Sequence, residues 1–328
     1  MLYDNHNRKI NYLRLAVTDK CNLRCTYCMP ENGLKWLPTK EIMTLSEMIR
    51  ICMIFTEMGI EKIRITGGEP FVRNDIMDLL FELSRLRNLK ELTLTTNGLL
   101  SAPLVGEFKK LGIRSVNLSL DSIDQERFHK ITRRDALPRV LETLDQLLIH
   151  GIEVKINAVV MEGINTMDIL PLAELTKDLP ISVRFIEEMP FNGTGKSFSG
   201  IGWNYVRILN TLTNKYPEIQ KQQDPAFSTS YNYKIPGYKG SVGIIASYSR
   251  TFCGTCNRLR LTPEGVLKTC LYDGGVLNIK DMVRIDFTDK DIESALLSCI
   301  GNREMNGLDA EQNRLKNNMH ASMATIGG

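Results

Sequence analysis

Six short runs rich in β-branched residues recur through the first half of this 328-residue chain, each separated from the next by an amphipathic stretch. The runs 12–17, 62–66, 91–95, 114–120, 153–160 and 182–186 read as strands. Between them lie helix signals. Thr44 and Glu47 make a capping-box pattern, Asn74 and Ser101 stand as candidate N-caps, and Gly59, Gly112 and Gly151 sit where helices should stop, each just before a strand. Strand-helix alternation of this kind calls for parallel strands joined by right-handed crossovers. The expected fold class is α/β, an incomplete (βα)6 TIM-type barrel, left open because six units fall short of the eight that close such a barrel. Beyond about Pro190 the sequence turns rich in Gly, Pro, Tyr and Ser through Tyr248, which reads as strands and loops of a second region. The expected division is 1–190 for the barrel core and 191–328 for a C-terminal extension.

Side chains alternate across a strand, and the alternation here assigns a polar face. Arg14, Arg64, Lys155 and Arg184 each lie between apolar neighbours on a different strand. Two further strands repeat the pattern with Thr93, Thr95 and Asn97, and with Asn117, Ser119 and Asp121. If the apolar face packs under helices, these groups line the lumen. Unpaired buried cations are costly, so such a lumen must be wet or hold an anion. Converging guanidinium groups suit phosphate oxygens. The alternative is that the cations reach solvent or pair with Glu187 and Glu188. A net charge of only +3 leaves no general basic surface for nucleic acid, so an anionic ligand has to be met by placed residues.

Six of the eight cysteines fall into two tight groups. Cys21, Cys25 and Cys28, with Tyr27 beside the last, follow the first strand in the spacing C-x3-C-x2-C. Three thiolates can hold three irons of a 4Fe-4S cube and leave the fourth iron open. A zinc knuckle would need a fourth ligand, and none lies nearby in the sequence. Cys253, Cys256 and Cys270 form a second group, with Arg258, Leu259 and Arg260 between its second and third members. Taken alone, that group fits zinc or iron-sulfur, and His320 or Cys299 would be a distant fourth ligand. Cys52 and Cys299 sit in apolar helical patterns and read as core residues. Residues 1–9 are polar, without the apolar stretch of a signal peptide, and no apolar run is long enough to span a membrane, so the expected location is cytoplasmic.

The ordered motifs resemble one family, the GTP 3′,8-cyclases of molybdenum cofactor biosynthesis in the radical S-adenosylmethionine superfamily. The resemblance rests on VTDKCNLRCTYCMP (17–30), RITGGEP (64–70), TTNG (95–98), SLD (119–121), RFIE (184–187), FCGTCNR (252–258) and the terminal Gly327-Gly328. It implies two 4Fe-4S clusters as cofactors, on Cys21, Cys25 and Cys28 and on Cys253, Cys256 and Cys270. It also implies S-adenosylmethionine near Tyr27, Gly68, Ser119 and Met189. Substrate GTP is implied at Arg14, Arg64, Thr95, Lys155, Arg258, Leu259 and Arg260, with Arg184 close by. Further implied partners are an electron donor of the flavodoxin type, the next enzyme of the pathway and a second copy of the chain, with neither nucleic acid nor membrane. A radical enzyme acting on a peptide, and a zinc-binding interaction module with both cysteine groups structural, are the rival readings.

Overall fold

A computed structural model describes residues 1–191, 201–316 and 322–327. The strands are β1 (Tyr12–Ala16), β2 (Lys62–Thr66), β3 (Glu91–Thr96), β4 (Ser115–Ser119), β5 (Glu153–Val160), β6 (Ser182–Glu187), β7 (Gln220–Lys221), β8 (Ser230–Lys234), β9 (Ser241–Ile245), β10 (Arg258–Leu261), β11 (Val266–Lys268) and β12 (Leu277–Asn278). The first six fall within a residue or so of the expected runs. They pair in parallel and in sequence order, as short helical crossovers require.

Helices α1 (Leu45–Met58), α2 (Ile76–Ser84), α3 (Val105–Lys110), α4 (Gln125–Thr132), α5 (Leu137–Ile149) and α6 (Ile169–Asp178) link these strands. The Thr44–Glu47 capping box opens α1, and Gly59 closes it in the left-handed region at φ 114°. Two expected caps differ. The residue preceding α2 is Asp75 rather than Asn74, because Arg73 turns back to bind the Asp75 carboxylate at 2.5 Å. Ser101 precedes a short 3-10 turn without a side-chain cap, since its hydroxyl pairs with Thr96 at 2.9 Å.

The chain beyond 190 returns to the same sheet. After α7 (Tyr205–Lys215), β9 adds parallel to β6, and β10 adds parallel to β1 on the other side. The expected strand-and-loop character of 191–248 missed α7, whose Asn204 cap and Ile208–Leu212 pair at i, i+4 bury one face. The full order is β12-β11-β10-β1-β2-β3-β4-β5-β6-β9-β8-β7, an open sheet with eight parallel strands at its centre. Helices α8 (Ile279–Arg284), α9 (Asp289–Gly301), α10 (Gly307–Lys316) and α11 (Met323–Ile326) complete the chain.

One apolar core runs under the whole sheet, from Leu13 and Ile65 through Phe185 to Val242, Leu259 and Leu296. Cys52 is fully buried in it and Cys299 is half-buried against it. Among the described residues no helix is long and apolar enough to cross a membrane. Phe185 is fully buried on the helix side of β6. Phe185→Ala should therefore lower the unfolding free energy by about 3–5 kcal/mol in a denaturant titration, and a loss under about 1 kcal/mol would contradict this packing.

Candidate active site

The period-two pattern of each strand sends one set of side chains to the helices and the other to a cavity of about 720 Å³ that runs through the barrel. Every residue singled out above for a cofactor, substrate or metal lines it except Leu259. Leu259 is fully buried in the apolar core, since it alternates with Arg258 and Arg260.

The two cysteine groups stand at opposite ends of this cavity. Cys21, Cys25 and Cys28 follow the C-terminal end of β1. Their loop is tied down by the amides of Arg24 and Thr26 on the end of α4 and by the Tyr27 hydroxyl, which donates to Asp121 at 3.0 Å. The loop after β2 packs against it: the Gly68 amide donates to the Thr18 carbonyl at 2.7 Å and that of Glu69 to the Lys20 carbonyl at 2.8 Å. A Cβ on Gly68 would collide with the Lys20 carbonyl, so glycine is required there by the close approach of the two loops. Ser119 ends β4 and Met189 follows β6, at the same end of the strands as Tyr27 and Gly68.

Cys253 and Cys256 lie just before β10, which runs parallel to β1, and so sit at the N-terminal end. The Asn257 carbonyl accepts from the amides of Asn11 and Tyr12 there. Cys270 returns to that end after the antiparallel β11. Parallel strands of five residues separate the two ends by about 13 Å before the loops are counted.

Burial above all, with the neighbouring Glu69 carboxylate, pushes the Cys21 thiol up to about 12. Burial and Asp121 raise Cys25 well above its ordinary value, and burial takes Cys28 to about 11. Thiols in such a field become thiolates only when a cation holds them, which suits a metal cluster. In the second triad burial, with the neighbouring Asp273 carboxylate, pushes Cys270 up to about 11, while Cys256 sits in a different field. Burial raises Cys256, but Arg258 and Arg303 together outweigh it and hold the thiol at about 6.

Between the triads lie Arg14, Arg64, Lys155, Arg184, Arg258 and Arg260. Only Lys155 has an ion-pair partner among the described residues, Glu153 at 2.8 Å. The Nε atoms of Arg14, Arg184 and Arg258 are buried without a hydrogen-bond partner, as are Thr95 Oγ1, Asn117 Oδ1 and Asn157 Oδ1. Burial and the neighbouring guanidiniums drive Arg14 well below its ordinary value, and Arg184 and Arg260 to about 10. Glu187 does not relieve this crowding. It falls on the helix face of β6, where its carboxylate accepts from the amides of Tyr205, Tyr248 and Ser249 at 2.7–3.0 Å. The orphaned guanidinium donors fit a polyanion, and the two orphaned amide oxygens are left to accept from a ligand's N–H or O–H groups.

The tail enters the same space. Ser322 Oγ donates to the Cys28 carbonyl at 2.6 Å, and the Gly327 carbonyl accepts from Arg260 at 2.9 Å. Gly328 and His320 lie outside the described residues. Sequence reading missed Tyr12, whose hydroxyl accepts from Arg64 Nε at 2.5 Å, although its spacing of two from Arg14 was the signal. It also missed Arg303.

The fold and cavity define a class: an α/β partial barrel with a thiol triad at each end of a cationic lumen. Residues 15–176 match the model of the Radical SAM superfamily, and 181–308 match that of Molybdenum Cofactor Synthesis C. The chain is similar to GTP 3′,8-cyclase of Clostridium perfringens, at 38% identity over 90% of this chain and 91% of that one. It is 39% identical to the mitochondrial GTP 3′,8-cyclase of Arabidopsis thaliana, over 88% of this chain and 74% of the other. It is 38% identical to human molybdenum cofactor biosynthesis protein 1 over 92% of its own length and 48% of the human protein's, so it spans about half the length of that relative. Among solved structures, Streptococcus suis SuiB shares the fold at TM-score 0.62 and 16% identity, over 92% of this chain and 68% of that one.

The chain belongs to the GTP 3′,8-cyclase family of molybdenum cofactor biosynthesis, within the radical S-adenosylmethionine superfamily. Two 4Fe-4S clusters and S-adenosylmethionine are the cofactors that come with this membership.

Burial pushes the Tyr12 phenol up, yet the combined field of Arg64, Arg14 and Lys62 overrides it and leaves the group at about 8. The ordinary unfolded value is near 10. The folded state therefore favours the phenolate, and this contribution to stability is complete above about pH 10 and lost as pH falls through about 8. An ultraviolet difference titration of the protein against Tyr12→Phe should show tyrosinate near pH 8. Inorganic triphosphate should move that titration upward, because an added anion disfavours the phenolate. A titration at the ordinary tyrosine value would contradict the cationic field.

Proposed function

We propose that this protein converts GTP to 3′,8-cyclo-7,8-dihydro-GTP, the first step of molybdenum cofactor biosynthesis, joining ribose C3′ to guanine C8. The observation that carries this reading is the lumen itself, with thiol triads at both ends and six converging cations between them, five without an ion-pair partner among the described residues. The names of the relatives agree with it.

In this reading Cys21, Cys25 and Cys28 hold the first cluster, and Tyr27, Gly68, Ser119 and Met189 surround S-adenosylmethionine. Cys253, Cys256 and Cys270 hold the second cluster. When bound, these groups supply a 5′-deoxyadenosyl radical at one end of the lumen and an iron with an open coordination position at the other. The rest is the work of this chain's own side chains. Arg14, Arg64, Lys155, Arg184, Arg258 and Arg260 take the triphosphate and leave its phosphates no freedom to turn, while Thr95 and the main chain at Leu259 complete the cradle. Arg64 is held for that task by the Tyr12 hydroxyl and the Leu94 carbonyl, at 2.5 and 3.0 Å. The tail segment 322–327 covers the lumen and keeps water from a reactive substrate. The compartment is the cytoplasm, and the electron donor a flavodoxin-type protein; the next enzyme of the pathway and a second copy of this chain are the further partners.

Replacing Cys21, Cys25 or Cys28 with serine should abolish S-adenosylmethionine cleavage, read as loss of 5′-deoxyadenosine; retained cleavage would defeat the assignment. Cys253→Ser should instead spare some cleavage and lose cyclised product. For Arg258→Ala and Arg260→Ala, each lost charged hydrogen bond is worth about 1.5–3 kcal/mol, so GTP binding should weaken by about tenfold or more per arginine. Unchanged affinity in an equilibrium titration would remove these arginines from the site.

A further inference from the structure

The loop that carries Cys253 and Cys256 is gripped from behind by two buried arginines. Arg303, 3% exposed, donates from Nη2 to the Cys256 sulfur at 3.2 Å and to the Arg258 carbonyl at 3.1 Å. Its Nη1 donates to the Cys256 carbonyl at 2.9 Å and to Asp4 Oδ2 at 3.4 Å. That same Asp4 oxygen accepts from Arg8 Nε at 2.6 Å. Arg8 directs its remaining donors to the carbonyls of Cys253, Met305 and Glu304, at 3.2, 2.6 and 2.8 Å. The Asp4 side chain has no exposed surface. Two guanidiniums therefore share one carboxylate, and a positive charge is left facing the sulfur.

The other triad sulfurs have different company. Cys21 accepts from the Leu23 amide at 3.4 Å and from Asn97 Nδ2 at 3.7 Å, and Cys270 from the Tyr272 amide at 3.5 Å. All of those donors are uncharged.

We propose that Arg303, held by Asp4, is a positioning residue for the second cluster: its guanidinium hydrogen-bonds the ligating sulfur of Cys256 and raises the reduction potential of the cluster. This rests on the reading of the second triad as a cluster site. Reduction adds one electron from an external one-electron reductant, with no bond made or broken. The added negative charge spreads onto the ligating sulfurs, so a charged N–H donor stabilises the reduced form more than the oxidised one. Removing the donor must make the cluster harder to reduce.

The test uses the full chain carrying Cys21→Ser, Cys25→Ser and Cys28→Ser, so that only the second cluster remains, reconstituted anaerobically with iron and sulfide. Stepwise reduction with titanium(III) citrate is followed by electron paramagnetic resonance. Arg303→Met should shift the midpoint to a lower potential, and Arg303→Lys should restore much of the difference. Equal iron and sulfide content with an unchanged midpoint would overturn the proposal. Should Arg303→Met fail to hold the cluster, protein grown with nitrogen-15 arginine and otherwise unaltered at Arg303 keeps the question open to measurement. Pulsed resonance on its reduced second cluster should reveal a nitrogen coupling that Arg303→Lys removes, and its absence would equally overturn the proposal. If no iron is bound by Cys253, Cys256 and Cys270 even with Arg303 present, the cluster reading itself fails and the proposal falls with it.

Discussion

Arg14, Arg64, Arg184, Arg258 and Arg260 point into one lumen, and none of them is in an ion pair among the described residues. Nearly every other feature of the site follows from that imbalance. A barrel interior is ordinarily filled by branched side chains in layers. Here the same positions carry Arg14, Arg64, Arg184 and Arg260, so the interior stays open and its energy depends on what enters. Glu187 is turned to the helix side and satisfied by backbone amides, and Glu153 pairs with Lys155 from the rim. In the proposed reading a nucleoside triphosphate supplies the missing negative charge.

The two ends are electrostatically unlike. Glu69 and Asp121 stand beside the first triad, and burial keeps both carboxyls above their ordinary range, at about 7 and about 6. In the second triad Cys256 faces Arg258 and Arg303, whereas Cys270 has Asp273 beside it. In the proposed reading the Arg303 guanidinium on Cys256 favours the reduced form of the second cluster, while the donors to Cys21 at the first are uncharged.

Much of this was legible in the sequence because it depends on local periodicity. The alternation around Arg14, Arg64, Lys155 and Arg184 located the lumen, and the capping box at Thr44 located the first helix. Part of what escaped depends on contacts distant in the chain. Residues 1–9 look like a polar terminus, yet Asp4 and Arg8 are buried because their partners lie near residues 253 and 303. Tyr12 shares the face of Arg14 but signals nothing until Arg64 is seen beside it. Helix α7 was hidden by the composition around it, although Asn204, Ile208 and Leu212 carry its pattern. Asn74 lost the capping position to Asp75 because Arg73 fixes the latter, a choice that propensity alone does not encode.

The most direct measurement is product analysis by mass spectrometry, using protein reconstituted anaerobically with iron and sulfide and supplied with reductant, S-adenosylmethionine and GTP. Formation of 5′-deoxyadenosine together with a cyclised GTP derivative is the expected result. 5′-Deoxyadenosine with GTP unchanged would mean that the cationic lumen serves another substrate, and neither product from protein shown to carry both clusters would contradict the enzymatic reading itself.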